Sequence, residues 1–189
     1  TVTMPTGTFI FNGGLNIVAT NSANIELTGA TNNPTVRSAG ALDFTGVGAG
    51  SEIITSGTGL WVASGSIDFT GGTYTATSGN TLEMDGTGTF TSAGQTLQNL
   101  TLSGPVTLAN ATHTVAGNLD MTGGTITAGT STVTTTGTSN TITGGGQTLN
   151  NLTIDPASAG TITMQTSNLT VGATLTVAAG DKLKIESGR

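Results

Sequence analysis

The chain has 189 residues, enough for one ordinary domain or one run of a repeat array, with 34% hydrophobic and only 4% aromatic residues. Ten acidic against four basic residues give a net charge of −6, which argues against binding nucleic acid by neutralising phosphates. No apolar run reaches membrane-span length, no signal-peptide pattern is visible, as expected of a mature or excised fragment, and zero cysteines exclude disulfide and thiolate sites.

Charged residues make up 7% of the chain, too few for a disordered polymer that stays soluble through its charge. Threonine and glycine take their place, with 43 and 30 copies. Threonine is β-branched and hydrogen-bonding, which suits a solvated strand face; glycine suits sharp corners between strands.

In chain order, TVTMPTGTFIF opens with a strand pattern and no charge among Phe9, Ile10 and Phe11. Arg37 is the last basic residue before Lys182. That gap leaves trypsin-like proteases no cleavage site, a benefit to an exposed extracellular protein, although compositional drift produces it too. LDFTG at 42–46 recurs as IDFTG at 67–71, an offset of 25. GSIDFTGGTYTA (65–76) matches GNLDMTGGTITA (117–128), and GQTLQNLTL (94–102) matches GQTLNNLTI (146–154), both at an offset of 52. A third match sets 104–124 against 160–180 at an offset of 56, the extra length falling around Pro156. Short strands of period two end in SG, AG, TG or GG turn signals, and the glycines recur too often for any long helix.

Repeats with small insertions at corners predict an all-β, parallel, right-handed β-helix (a β-solenoid) as a single domain over 1–189. Half of 52 is 26, and Tyr74, Leu100, Ile126 and Leu152 recur at that step. A second column reads Leu82, Val106, Val133, Ile162 with uneven steps. This spacing predicts about seven coils of roughly 26 residues, each with three strands. A coil of about 17 is the rival reading. Leu, Ile, Val, Phe and Met should point inward and stack, and Thr outward. The segment 181–189 (DKLKIESGR) carries three of the four basic residues and reads as a terminal charged strand or cap.

The candidates for chemistry are few. Asp43, Asp68 and Asp120 share one place in the Φ-D-Φ-T-G pattern, and the first two would stack on successive coils about 5 Å apart. Such carboxylates can share a cation or act as an acid pair, but outward polar residues are the simpler account. Glu83 and Asp85 face one side of a strand, as surface carboxylates do. His113, between two threonines, reads as outward, and a lone histidine without a Cys or acid cluster is no metal site. Trp61 and Tyr74 are the only large polar-tipped aromatics; exposed, Trp61 could stack on a sugar, but an inward placement that fills a coil is favoured. GVGAG (46–50) and TGGGQT (143–148) lack a phosphate-loop lysine and read as turns. Thr-x-Thr pairs at 73/75, 125/127, 132/134, 141/143, 161/163 and 174/176 resemble the arrays of ice-binding solenoids, but they do not fall in one column at one period. No residue is nominated as catalytic, cofactor-binding or metal-ligating, and no cofactor is implied.

The recurring GQTLxNLT and LDFTGG strands resemble the Gly/Thr-rich β-helical repeats of bacterial surface proteins, namely autotransporter passengers and filamentous-haemagglutinin-like adhesins. That resemblance implies export to the cell surface, a rod-like shape and a role as stalk, fibre or adhesin. Expected partners are a further copy stacked head to tail, adjoining repeats of the same chain, or a surface glycan or receptor; nucleic acid and membrane insertion are not expected. An ice- or carbohydrate-binding solenoid and a polysaccharide-active β-helix enzyme are the alternatives.

Overall fold

A computed structural model describes residues 2–18, 26–29, 31–46, 52–55, 57–165 and 167–186, and every ladder among them is parallel. The described strands wind as a β-solenoid of about eight coils, without helix. Each coil contributes one strand to each of three faces, in chain order face 1, face 2 and face 3.

Face 2 is one unbroken sheet of nine strands, from Thr8–Phe11 through Thr35–Ser38, Leu60–Ala63, Thr81–Met84, Asn99–Leu102, Leu119–Asp120, Thr141–Thr143 and Thr161–Gln165 to Lys182–Ile185. The charged C-terminal segment therefore enters the ladder as its ninth strand. Face 1 runs Val2–Thr3, Glu26–Thr28, Glu52–Thr55 and Thr73–Ala76, then resumes at Thr96–Leu97 and continues through Thr112–Val115, Thr132–Thr135, Thr148–Ile154 and Thr170–Val177. Face 3 carries six short strands, from Leu15–Asn16 to Thr125–Thr127. The strands Thr148–Ile154 and Thr170–Val177 are long because each turns the corner from face 3 to face 1, with a register shift between Leu149 and Asn151.

Period-two alternation sorts the side chains. Leu82 and Met84, Leu100 and Leu102, Val133, Leu149 and Leu152 are buried and stack on their register partners. The intervening threonines, such as Thr81, Thr132 and Thr134, face out; Thr135 departs from the expected outward placement and is buried in the inward file between Val115 and Ile154. A single coil would bury little, so stability resides in the stacking between neighbours. At the corner between faces 2 and 3 the backbones of successive coils nearly touch. A Cβ on Gly104 would lie 2.4 Å from the Gly86 carbonyl oxygen, and one on Gly124 would lie 2.3 Å from that of Gly104. Only glycine fits there.

Coil length departs from the expected constant. Along face 2 the inward register positions are Phe9, Val36, Trp61, Leu82, Leu100, Leu119, Ile142, Met164 and Ile185. Their sequence numbers advance in steps of 27, 25, 21, 18, 19, 23, 22 and 21. The LDFTG and IDFTG match spans a true coil, because Leu42 pairs with Ile67. The column of step 26 does not. Tyr74 lies on face 1, Leu100 on face 2, Ile126 on face 3 and Leu152 on face 1 again. A step of that length holds four strands rather than three, so the column is a diagonal that climbs one and a third coils. Leu82, Val106, Val133 and Ile162 likewise scatter over three faces. The repeat at offset 52 holds eight strands, counting each corner-turning strand as two. It carries Ile67 on face 3 to Leu119 on face 2.

Candidate functional site

The GQTL motif has a structural task. Gln95 closes a turn in which Ala93 and Gly94 both have positive φ, 51° and 79°, with the Gln95 N–H donating to the Ser92 carbonyl at 2.9 Å. Gly145 and Gly146 (φ 60° and 78°) repeat it before Gln147. Two positive φ values define a type I′ turn. The turn throws the glutamine side chain across the gap where face 1 lacks a backbone ladder. The Gln95 carboxamide accepts the Tyr74 N–H and donates to the Gly72 carbonyl, both at 3.2 Å. Gln147 does the same for Ile126 N–H (2.9 Å) and the Gly124 carbonyl (2.7 Å) on face 3. One amide side chain thus replaces one residue of strand.

The acids weighed in the sequence are held in local structure. Asp43 and Asp68 do stack in register on adjacent strands. Each turns one oxygen back to the backbone N–H two residues on, at 2.9 Å to Thr45 and to Thr70, and to the hydroxyl of the same threonine. The Thr45 N–H and hydroxyl hold the Asp43 carboxyl below its ordinary pKa. Asp120 makes the same pair of bonds to Thr122 on a different face. Glu83 accepts the Ser103 hydroxyl at 2.7 Å. Asp85 accepts Ser64 at 2.6 Å and Arg37 at 2.7 Å. Arg37 reaches Asp85 across the intervening strand, above Val62, its register partner. Val62 is buried yet stands apart from the inner core, covered on the outside of face 2.

His113 does not face outward. It is fully buried, with Nδ1 2.9 Å from Ser92 Oγ and Nε2 3.0 Å from the Ala109 carbonyl oxygen. A carbonyl only accepts, so the ring proton sits on Nε2 and the Ser92 hydroxyl donates to Nδ1. Burial holds the imidazole below its ordinary pKa, and the Ala109 bond opposes that shift. The parity of Val115, two residues on and buried, is the sequence signal for this inward placement. Trp61 is inward, as expected, and its indole N–H meets no partner among the described residues. Tyr74 is also buried, its hydroxyl bonded to the Asn80 carboxamide. Of GVGAG, only Gly46 lies among the described residues.

Two outer surfaces remain. On face 2, a shallow depression of about 290 Å³ is lined by Thr81, Asn99, Thr101, Asn118, Asp120 and Thr141, among others. It sits over the shortest coils. A file of asparagines stitches its edge: Asn99 donates to the Asn80 carbonyl and accepts the Asn118 N–H, and Asn118 accepts the Thr141 N–H.

On face 1, the pairings align threonines that sequence spacing separates. One row runs Thr96, Thr114, Thr134, Thr153, Thr176; the other runs Thr112, Thr132, Asn151, Thr174. Three of the six Thr-x-Thr pairs read from sequence lie elsewhere: 125/127 on face 3, 141/143 and 161/163 on face 2. The 132/134 and 174/176 pairs do share a column. Thr112 and Thr114, which flank the inward His113, join that column as a further pair. No protein-family model, curated protein or solved structure shows significant similarity to this chain.

Proposed function

We propose that the chain is a non-catalytic structural segment of an extracellular stalk or fibre, of the kind that the resemblance to bacterial surface adhesins implies. One observation carries the reading: nine face-2 strands form a single uninterrupted ladder whose first and last coils both present apolar interior. At one end Met4, Phe9, Phe11, Leu15 and Leu27 line an open apolar mouth. At the other, Leu175, Val177 and Ile185 are exposed large hydrophobics. Unpaired strand edges backed by apolar side chains are templates for another strand, and the occupant that matches both is a further coil of this same Gly/Thr-rich type.

Electron microscopy and sedimentation of the chain over a concentration series test this. The expected result is rods that lengthen in steps of about 43 Å, the rise of nine strand spacings, one for each face-2 strand that a copy adds, and that Val177→Lys shortens to single units. A particle that stays a monomer at every concentration overturns self-stacking. Turnover of any polysaccharide that Asp68→Ala or Glu83→Ala abolishes overturns the non-catalytic reading.

A further inference from the structure

We propose that the threonine ladder on face 1 is an ice-binding surface, ordering water into the repeat of the crystal and holding the chain to it. The ligand is solid water, and the site is the two rows Thr96–Thr114–Thr134–Thr153–Thr176 and Thr112–Thr132–Asn151–Thr174.

Geometry comes first. Hydrogen-bonded strands are about 4.8 Å apart, and alternate residues on one strand about 6.7 Å. The rows therefore form a two-dimensional grid with the two spacings of a β-sheet, close to the oxygen repeats on the prism planes of ice. Ladder pairing is one to one from Thr112 to Thr135 and again from Asn151 to Val177. Beneath the grid Val115, Val133, Leu152 and His113 are buried, so the outward positions stand on a packed layer.

Chemistry follows. Threonine's branched Cβ stiffens χ1, which fixes a hydroxyl that both donates and accepts beside a methyl group. The hydroxyls of Thr114, Thr134, Thr153 and Thr176 have no partner within the protein among the described residues, leaving them for water. Asn151 lies within its row, its Nδ2 at 3.4 Å from Thr132 Oγ1, which keeps its own proton to donate. The grid carries no charge, whereas the corresponding row on face 2 reads Ile10, Arg37, Val62, Glu83, Thr101, Asp120. The same composition is therefore distributed differently over two faces.

The internal repeat does not produce this ladder. It relates Asn151–Ile154 to Asn99–Leu102, which lies on face 2 and places Thr101 there. Five segments that the repeat does not superpose (GQTL, ATHTV, STVTT, NNLTI and ATLTV) supply the grid, and the steps along Thr96, Thr114, Thr134, Thr153 and Thr176 are uneven: 18, 20, 19 and 23. A crystalline polysaccharide is the less suitable solid. All seven aromatic residues precede residue 91, leaving no ring on the grid for sugar stacking.

The test uses the full chain as a monomer, so that it stands apart from end-to-end stacking. Growing ice slowly through the solution should enrich the chain in the solid several-fold over a non-binding reference protein, with measurable thermal hysteresis. Thr134→Tyr, at the centre of the grid, should reduce hysteresis about tenfold while the circular dichroism melt is unchanged. Thr134→Lys gives a second reading should the ring disturb the fold, and Thr101→Tyr on face 2 should leave hysteresis intact. Exclusion of the unaltered chain from ice overturns the proposal. So does an equal loss in Thr101→Tyr and Thr134→Tyr, or adherence to crystalline cellulose or chitin with no enrichment in ice.

Discussion

The coils before Phe90 and those after it are built on the same plan with different filling. The first half holds every aromatic residue of the chain. Phe44, Trp61, Phe69, Tyr74 and Phe90 are fully or nearly fully buried, with Phe44 on Phe69 at 5.5 Å and Phe69 on Tyr74 at 4.7 Å between ring centroids. Here the face-2 partners Phe9, Val36, Trp61 and Leu82 step by 27, 25 and 21. Beyond Phe90 the interior is mainly Leu, Ile, Val and Met, joined by the buried polar residues Ser92, His113, Ser131 and Thr135. The step contracts to 18 and 19 at Leu100 and Leu119 before settling between 21 and 23. Coil length does not follow ring content: the coil from Trp61 encloses Trp61, Phe69 and Tyr74 in 21 residues, whereas the coil from Leu119 encloses no ring in 23. Close packing instead requires each interior to be filled by its own set of side chains, since an interior holds no voids. The face-2 depression lies over the short coils.

The largest test of that difference in filling is Trp61→Ala. The coil cannot close around the lost indole, so the expected loss is about 3–5 kcal/mol, read from urea unfolding. Leu119→Ala in the ring-free half removes less volume and should lose less, within about 2–5 kcal/mol. Equal losses would break the link between ring volume and stability. Trp61→Phe should fall well below Trp61→Ala, because it also removes an indole N–H that has no partner.

A smaller effect belongs to the one polar side chain stacked on the last aromatic. His113 lies 5.1 Å from the Phe90 ring centroid, and its folded pKa lies below its ordinary value of 6.5. The unfolded chain therefore binds the proton more readily. Above pH 6.5 His113 costs no stability; as pH drops from 6.5 toward the folded pKa stability falls, then levels off. Melting temperatures between pH 7 and pH 5 should decline, and His113→Leu should flatten that slope. A slope unchanged in the variant would assign it to the carboxylates.

The smallest effect compares one turn in its two copies. Ala93 holds φ of 51° where its counterpart is Gly145. Ala93→Gly relieves roughly 1 kcal/mol of left-handed strain and returns part of it as unfolded-chain entropy, for a net gain of a few tenths. Gly145→Ala should destabilise instead, since its Cβ would sit 2.4 Å from the Met121 carbonyl oxygen. Thermal melts of the two variants should move in opposite directions.

The parallel solenoid is legible in the sequence because alternation and glycine corners are local: Leu42 over Ile67 can be read directly from LDFTG and IDFTG. Coil length is not, because the corners between strands differ in length from coil to coil, and no single segment states which strand its neighbour pairs with. The outward reading of His113 fails because its threonine neighbours say less about its direction than the parity of Val115 does. The threonine ladder is hidden for a related reason. Its members are aligned by pairing across corners of unequal length, so a fixed period disperses them. The glutamine bridges are visible as a motif but not as a task, since their partners lie 21 and 23 residues back.

The eight-strand repeat has a consequence for how such a chain can change. Copying eight strands into a three-sided prism leaves the copy out of phase by one side. Inward and outward positions survive the duplication, because eight strands preserve the alternation, but a motif lands on a different wall of the prism. Only after three copies, twenty-four strand positions, would it return. Duplication therefore lengthens the rod while shuffling its exterior, so the interior is inherited as a unit and each wall must acquire its pattern residue by residue.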